Sequence, residues 1–470
     1  MKLNRWMIIA ALLSAQTGYV LAEDQNNELS RLKKQIQELD QKVRILERNK
    51  ELEIEAAEAK SKTQPTVVLG SSGLQVSSGD TNFTLKLRGY IQADSRFFAS
   101  EDIKGNDSFL LRRVRPIIEG TVWKDFEYRL MTDFGTGIAS GSGNNAFLQD
   151  GYINFHHWDE AQLQIGKFKE PVGLERLQSG ANLLFIERGL PTALVPNRDV
   201  GVQIHGKLWG NTLAYQVGAF NGVEDGGSGD VETTDDGKDI SARVFAQPFY
   251  KTDIEPLKNF GLGIAVTHGT HVGALRNYAT SGQQTWFSWR TAATPSAASP
   301  NVSADGETDR ISPQAYYYWG PFGVFAEYVV SSHDVARRTG AAANAVTYAN
   351  FENQAWQVAG SYFLTGEDNS FSAVTPKRPF QWGGGGWGAW EVAARLGHLD
   401  VDKKAFPTFA SAASAQEVRE WAVGLNWHLN RNVRASVNYM NTDFKGGSKA
   451  KTAVTGETEQ AIFGRVQLTF

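Results

Sequence analysis

Residues 83–98 read FTLKLRGYIQADSRFF, and this stretch decides the fold. Apolar or small side chains at positions 85, 87, 89, 91 and 93 alternate with polar or charged side chains at 86, 88, 90, 92 and 94. Successive side chains of a β-strand point to opposite faces, so one face is apolar and the other is charged. A soluble sandwich would bury the apolar face. A large transmembrane barrel turns that face to lipid and the polar face to a water-filled lumen.

The same period-two pattern recurs to the end of the chain, in segments with the length of a tilted membrane strand. Examples are FEYRLMTDF, TLAYQVGAF and EWAVGLNWHL. Short connections alternate with long ones rich in Gly, Ser, Asp and Ala, as tight periplasmic turns and long outer loops require. We assign the long connections to the outer side, around residues 135–146, 222–239, 291–309, 337–350, 366–386, 402–416 and 445–458. The predicted fold is all-β: a transmembrane antiparallel β-barrel of about 16 strands over residues 65–470, with an N-terminal coiled-coil helix.

The first 22 residues, MKLNRWMIIAALLSAQTGYVLA, have the form of a signal peptide. Lys2 and Arg5 precede an apolar stretch, and Val20-Leu21-Ala22 matches the small-residue pattern of a signal-peptidase site. We therefore expect export, and for a barrel the destination is the outer membrane of a Gram-negative bacterium. The chain has no Cys, which is tolerable if closed backbone hydrogen bonding replaces disulfides. Neither G-x-S-x-G nor H-E-x-x-H occurs, so we expect no enzyme activity, metal or cofactor.

Residues 23–64 form a separate, helical module that we expect in the periplasm. Its apolar residues recur at alternating spacings of three and four, which is typical of a coiled coil. They are Leu29, Leu32, Ile36, Leu39, Val43 and Leu46. The alternative is a lone amphipathic helix. Within the module, the Glu-rich segment that begins at residue 51 loses the apolar period before Pro65, which predicts a linker of roughly a dozen residues.

Basic residues concentrate on the predicted lumen face. In LLRRVRPIIEG, residues 110–120, Arg113 and Arg115 share a face with Glu119, whereas Arg112 has the opposite parity. Arginines that line a water-filled pore attract anions. The alternative is that they neutralise facing acids such as Glu119 or Asp133. Further pore-lining candidates of the same parity are Arg88, Arg395 and Arg465.

Residues 170–199, EPVGLERLQSGANLLFIERGLPTALVPNRD, lack a regular period and are too apolar for a solvated loop. We expect this segment to fold inward and pack on the barrel wall as a constriction loop. It would carry Arg176, Arg188 and Arg198, with Lys167 and Lys169 just before it. Guanidinium groups suit phosphate because they offer several coplanar donors. The alternative is that acids brace the loop in the pairs Glu175–Arg176, Glu187–Arg188 and Arg198–Asp199.

Several motifs resemble, in the family's order, the phosphate-selective porin O and P family from about residue 83 to 470. They are LLRRVRPIIEGTVWKDFEYRLMTDF, QIGKFKEPVGLERL, FIERGLPTALVPNRDVGVQI, PKRPF, GGWGAWEVAARLGHLDV, GLNWHLNRNVRASVNYM and IFGRVQLTF. The resemblance implies a trimer of 16-stranded barrels. It also implies an arginine ladder that draws anions in, and a central site of arginine, lysine, serine and an acid.

The resemblance also assigns roles to particular residues. Those that resemble the ladder or the central site are Arg88, Arg112, Arg113, Arg115, Asp150, Arg176, Ser179 and Arg188. Two positions depart from the family's phosphate channels: Arg176 stands where they carry a lysine, and Gly180 stands where a second serine is expected.

The expected function is a passive channel for anions, most of all phosphate or polyphosphate. The alternative is a porin of the same build with broad or different selectivity, for example for organic anions or sugars. Expected partners are outer-membrane lipid, further copies of the chain in a homotrimer, and the barrel-assembly machinery, but no nucleic acid. The last strand alternates and ends on Phe470, which resembles the signal that delivers outer-membrane barrels for insertion.

Overall fold

A computed structural model describes residues 5–99, 105–135, 146–229, 236–446 and 458–470. It contains two compact units, Met1–Thr66 with Ser78–Asp80, and Val67–Ser77 with Thr81–Phe470. Met1 to Asn4 of the expected signal peptide lie outside the described residues, as do residues 136–145, 230–235 and 447–457 of three expected outer loops.

The first unit is dominated by one helix, α1, which spans Arg5–Thr63. The apolar stripe of the expected coiled coil is exposed on this single chain, with Ile36 at 64% and Leu39 at 60% exposure. The helix also runs through the segment expected to be a linker. That segment is rich in Glu, Ala and Lys, which are strong helix formers, so loss of the apolar period does not end the helix. Within the described residues, no helix combines the length and apolarity needed to cross a membrane.

The second unit is a closed barrel of 16 antiparallel strands, as the period-two pattern predicts. Strand β20 pairs with β3, from Ala461 opposite Phe98 to Thr469 opposite Tyr90, and this pairing closes the barrel. A short hairpin of β1 and β2 extends the sheet beside the start of β3. The first strands are β1 Thr66–Gly70, β2 Gly73–Ser77, β3 Thr84–Phe98, β4 Ser108–Val122, β5 Phe126–Asp133, β6 Phe147–Trp158, β7 Ala161–Lys169, β8 Arg198–Leu208, β9 Leu213–Phe220 and β10 Asp239–Ala246. The remaining strands are β11 Asn259–Gly273, β12 Tyr278–Ala279, β13 Thr285–Phe287, β14 Asn301–Trp319, β15 Phe322–Arg338, β16 Val346–Phe363, β17 Ala389–Asp400, β18 Glu417–His428, β19 Val433–Lys445 and β20 Thr458–Thr469. Of these, β12 and β13 form a separate hairpin outside the barrel sheet.

The strand faces follow the alternation read from the sequence. In β3, Gln92 and Asp94 are buried in the barrel, whereas Leu85 and Leu87 are exposed on the outer wall. Apolar side chains on the outside and polar ones on the inside are the arrangement that a lipid-facing barrel requires.

Arg112 breaks this alternation through a β-bulge. In the pairing of β3 with β4, Gln92 lies opposite Arg113 and Ala93 lies opposite Leu111, so Arg112 has no partner. The extra residue lets Arg112 and Arg113 both reach the lumen, where both contact Glu187. Arg112 has the opposite parity to Arg113 in the sequence, and the bulge is the physical reason that this parity does not keep Arg112 out of the lumen.

The connection of residues 364–388 lies on the side of the short turns, so its assignment to the outer side is wrong. It joins the end of β16 to the start of β17. The backbone N–H of Phe380 donates to the carbonyl of Leu429, in the turn between β18 and β19, at 2.7 Å. At its other end, β16 is joined to β15 by residues 339–345 only. Both strands extend into residues 337–350, which were expected to form an outer loop.

Three connections fill the lumen and the outer mouth. The constriction loop, residues 170–197, includes the one-turn helix α2, Leu174–Leu177, and buries Leu183 and Phe185. This is the inward fold expected from its apolar content. The outer connection 274–300 carries the β12–β13 hairpin, whose buried Phe287 packs in one core with Leu190 of the constriction loop. From the opposite side, Phe371 of residues 364–388 enters the barrel and stacks on Tyr316, with ring centroids 5.4 Å apart.

Candidate functional site

Two cavities lie in the lumen, with residues of the constriction loop in the lining of both. The outer cavity, of about 320 Å³, contains residues of the outer connections, such as Arg276 and Gln283. The inner cavity, of about 440 Å³, contains residues of the periplasmic turns, such as Asn430 and Asn432. Six of the predicted site residues line the outer cavity: Arg112, Arg113, Arg115, Arg176, Arg188 and Arg198. Arg88 and Ser179 line the inner cavity.

Lys169, Arg176 and Arg188 form a group of cations without acidic partners, which we call the free cation cluster. Lys169 Nζ and Arg188 Nη2 both donate to the carbonyl of Gln178, at 2.7 and 2.8 Å. Arg176 donates through Nη2 to the carbonyl of Thr192. Among the described residues, no carboxylate oxygen lies within 4.0 Å of any of these three cations. Backbone carbonyls hold the side chains in place, and none of the three forms a direct ion pair with a described carboxylate.

The two arginines of this cluster are cationic at neutral pH. Burial lowers the pKa of Arg176 to about 9, and the nearby charges of Arg188 and Arg276 add to this effect. Burial also lowers the pKa of Arg188 to about 10; the Glu175 carboxylate opposes this shift and the charge of Arg115 adds to it. Burial and repulsion between neighbouring cations both disfavour the charged form, so both act in this direction.

Asp150 is held between two arginines. Arg198 Nε lies 2.7 Å from Asp150 Oδ1, and Arg129 Nε lies 3.1 Å from Asp150 Oδ2. Asp199, the expected partner of Arg198, instead accepts from the backbone N–H groups of Val200 and Gly222.

The other two expected bracing pairs also differ from expectation. Glu175 accepts from the N–H of Gly189 and from Gln357 Nε2, both at 2.8 Å. Glu187 faces arginines of the barrel wall rather than Arg188, its neighbour in sequence. None of the three proposed pairs is an ion pair in the described structure, because each acid has a partner elsewhere.

Several predicted pore-lining arginines are paired with acids. Arg115 Nε lies 2.7 Å from Asp133 Oδ2, and Arg88 binds Glu119 through Nε and Nη2 at 2.5 and 2.9 Å. Here both readings of the sequence apply, because these arginines line cavities and also neutralise facing acids.

Arg395 and Arg465 are buried and fasten the constriction loop. Arg395 donates to Glu420 and to the carbonyl of Glu187, the latter at 2.9 Å. Arg465 binds Asp94 through two nitrogens and donates to the carbonyl of Ile186 at 2.8 Å. Neither of these two arginines lines the inner or the outer cavity.

Lys167 and Asp150 are likewise absent from the two linings. Lys167 is buried in β7, opposite Gly151 of β6. The carbonyl of Gln178 bridges Lys169 to Arg188, so Lys169 belongs to the free cation cluster although it is not a lining residue.

Sequence reasoning missed several contributors to the lumen, among them Arg96, Arg276 and the two discussed next. One is Glu187, which was expected to pair with Arg188. Because Glu187 lies in a loop, the alternation of faces along a strand gives no information about where its side chain points. The other is the segment around Phe371, whose carbonyl accepts from Gln178 Nε2 at 2.8 Å. Strict counting of barrel crossings would have placed that segment on the periplasmic side. Among the described residues, no group of three or more His, Asp or Glu side chains is placed to hold a metal ion.

A closed barrel of 16 strands with an apolar outer wall, an inward-folded loop and an arginine-rich lumen defines the class of outer-membrane porins. These are channels rather than enzymes. The model of the family "Phosphate-selective porin O and P" matches residues 83–470, so the chain belongs to that family.

Individual proteins are similar to this chain in sequence or in fold. The chain is 25% identical over 403 residues to Porin O of Pseudomonas aeruginosa, covering 80% of this chain and 86% of that protein. The outer membrane channel DcaP of Acinetobacter baumannii is similar in fold, with a TM-score of 0.53 and 12% identity, over 86% of this chain and 99% of that one. In-vitro folded OmpT of Vibrio cholerae gives a TM-score of 0.50 at 10% identity, over 83% of this chain and 98% of that one.

Proposed function

We propose that this porin passes anions and binds phosphate or polyphosphate in its outer cavity. The free cation cluster carries this proposal, because Arg176 and Arg188 bring positive charge to the constriction loop and neither forms an ion pair with a carboxylate of the described residues. Arg176 and Arg188 open directly onto the outer cavity. A permeating anion supplies the negative charge that the protein does not.

The wider lining supports the same sign of selectivity. Within the part of the chain that the structure describes, seven arginines line the outer cavity, but only two carboxylates do, those of Asp133 and Glu187. In a narrow passage with protein walls of low dielectric constant, such an excess focuses field lines and raises the local concentration of anions. Guanidinium groups favour phosphate over monovalent ions because one oxyanion can accept from several of their donors.

A second candidate is the same channel with broad anion selectivity. Ser179 lines the inner cavity whereas Arg176 lines the outer one, so the serine and the arginine that resemble the family's central site open onto different cavities here. A Cβ at Gly180 would lie 3.0 Å from the Tyr90 hydroxyl, which leaves little room for the second serine. Fewer hydroxyl donors beside the cations favour weaker discrimination between anions.

We further propose that the mature chain lacks residues 1–22 and forms trimers through α1. The exposed leucine stripe supports association, because an apolar face of this length is stabilised by burial against other copies. Phe470 exchanges backbone hydrogen bonds with Gly89 at 2.8 and 2.9 Å, so the terminal residue completes barrel closure. This position supports a role of Phe470 in delivery to the barrel-assembly machinery.

Planar-bilayer recordings test the anion proposal. In a KCl gradient the reversal potential should show anion preference, and added inorganic phosphate should block the chloride current. Arg176→Ala and Arg188→Ala should each raise the half-blocking phosphate concentration about tenfold or more, since a hydrogen bond to a charged group contributes about 1.5–3 kcal/mol. The matched control is Arg419→Ala, because this arginine is exposed on the outer wall and pairs with Glu417.

Three results would separate the candidates. Cation preference of the wild-type channel would contradict anion passage altogether. Anion preference without phosphate block at any concentration would favour the broad-selectivity channel. Equal effects of Arg419→Ala and Arg188→Ala would show that block reports overall charge rather than a site.

A further inference from the structure

We propose that the Glu187 carboxylate is a built-in anion, held in the arginine site of the outer cavity, that limits how tightly a permeating anion binds there. This inference rests on the proposed function and names a residue that sets the channel's affinity. Glu187 belongs to the constriction loop and its side chain is 3% exposed.

Four guanidinium groups from three strands surround this carboxylate. Arg112 approaches both oxygens, with Nε 2.5 Å from Oε1 and Nη2 3.2 Å from Oε2. Arg96 Nη2 donates to Oε1 at 2.9 Å. Nitrogens of Arg113 and Arg465 lie 3.5 and 3.7 Å from the carboxylate. A carboxylate ringed by planar, multi-donor cations occupies the kind of site that would otherwise hold a free oxyanion.

The cluster remains positive even with Glu187 in place. Its second acid is Asp94, which engages Arg465 through two nitrogens at 2.6 and 2.7 Å. Four cations therefore face two anions. Within the described residues, the buried Nε and Nη1 of Arg96 have no hydrogen-bond acceptor, so this ring is short of negative groups.

The ionised state of Glu187 follows from the same surroundings. Burial alone would raise the pKa of Glu187, but Arg112, Arg113 and Arg465 hold it well below its usual range. The carboxylate is therefore charged throughout the neutral range and competes permanently for these arginines.

A permeating anion in the outer cavity meets two of these four guanidinium groups. Arg112, Arg113 and Glu187 all line the outer cavity, together with Arg188, the next residue along the chain. Conduction requires binding strong enough to attract an ion and weak enough to release it. Glu187 meets the second requirement, because it occupies donors and repels the incoming anion.

The test measures phosphate block of the chloride current in planar bilayers, with inorganic phosphate as probe. Glu187→Gln keeps the shape of the side chain and removes its charge. We expect the half-blocking phosphate concentration to fall about tenfold or more, because one elementary charge is lost at contact distance from the arginines. An unchanged or higher concentration would overturn the inference.

Two comparisons isolate the charge from the order of the loop. Asn438 Oδ1 accepts from the N–H of Ile186 at 2.6 Å, so Asn438→Ala loosens the same part of the loop without changing charge. It should not tighten the block, and an equal tightening would mean that loop order is the cause. Glu127→Gln removes a half-exposed lumen carboxylate that contacts no arginine in the described structure, and should shift the block less than threefold.

A paired substitution covers the case in which Glu187→Gln does not fold. Arg112→Gln should raise the half-blocking concentration, and the double variant Arg112→Gln/Glu187→Gln should lower it again by about tenfold. Equal values for Arg112→Gln and the double variant would overturn the inference. If phosphate does not block the wild-type channel, the proposed function and this inference are both wrong. If phosphate blocks the wild-type channel but Glu187→Gln does not lower the half-blocking concentration, only this inference is wrong.

Discussion

Replacement of Arg395 should destabilise the barrel without removing its anion preference. Arg395 is fully buried and binds Glu420 Oε1 through Nε and Nη2, at 3.1 and 2.8 Å. It also donates to the carbonyl of Glu187 and to Ser281 Oγ, at 2.9 and 3.0 Å, and so joins the wall to two inward connections. Arg395→Ala would leave the Glu420 carboxylate buried and unpaired, which costs about 3–5 kcal/mol.

The magnitude can be checked by a double-mutant cycle. Arg395→Ala and Glu420→Ala should each lower the free energy of unfolding by about 3–5 kcal/mol, and the double variant should lose clearly less than their sum. The assay is denaturant unfolding in lipid vesicles, followed by tryptophan fluorescence. Arg419→Ala, an exposed outer-wall change one position from Glu420, should shift stability by less than about 0.5 kcal/mol.

The same variants distinguish an anchoring residue from an anion-binding one. In bilayer recordings Arg395→Ala should keep the anion preference of the wild-type channel. Its currents should be larger or noisier, because the inward connections lose their hydrogen bonds to Arg395. Loss of phosphate block together with an unchanged free energy of unfolding would refute the anchoring role and restore Arg395 as a pore-lining site residue.

Two other predictions concern Asp225, in the connection between β9 and β10, and the helix α1. Burial opposes ionisation of Asp225, but His333 and Arg310 hold its pKa at about 2, so its contribution is present above about pH 4 and is lost as the pH falls through about 2. The stability gap between wild type and Asp225→Asn should be about 2–3 kcal/mol at pH 7 and should close towards pH 2; a gap independent of pH would contradict this linkage. Leu39→Asp places a charge in the exposed stripe of α1 and should abolish crosslinks between helices of neighbouring copies, with barrel unfolding unchanged. Unaltered crosslinking would show that the stripe is not an interface.

The barrel itself could be predicted from the sequence because its physics is local. Each membrane strand alternates between lipid and lumen, so residues such as Leu87 and Asp94 reveal their faces through their neighbours. The inward position of the constriction loop was predictable for a similar reason, since Leu183 and Phe185 need burial wherever they lie.

The bulge at Arg112 and the partners of the arginines could not be predicted in this way. A bulge depends on how two strands pair, and nothing within LLRRVRP alone indicates which residue is unpaired. Arg465 meets Asp94 from the other end of the sequence, at a separation of 371 residues. Such partners follow from barrel closure and register, which are not local properties.

The distinction between paired and unpaired arginines bears on what a count of lumen charges can establish. An arginine that has a carboxylate partner, such as Arg395, contributes little net field and is retained for the geometry it fixes. An arginine held only by backbone carbonyls, such as Arg188, keeps its full charge and its position. Selectivity should therefore follow the second group, and removal of Arg188 should affect anion preference more than removal of any acid-paired arginine in the same lumen.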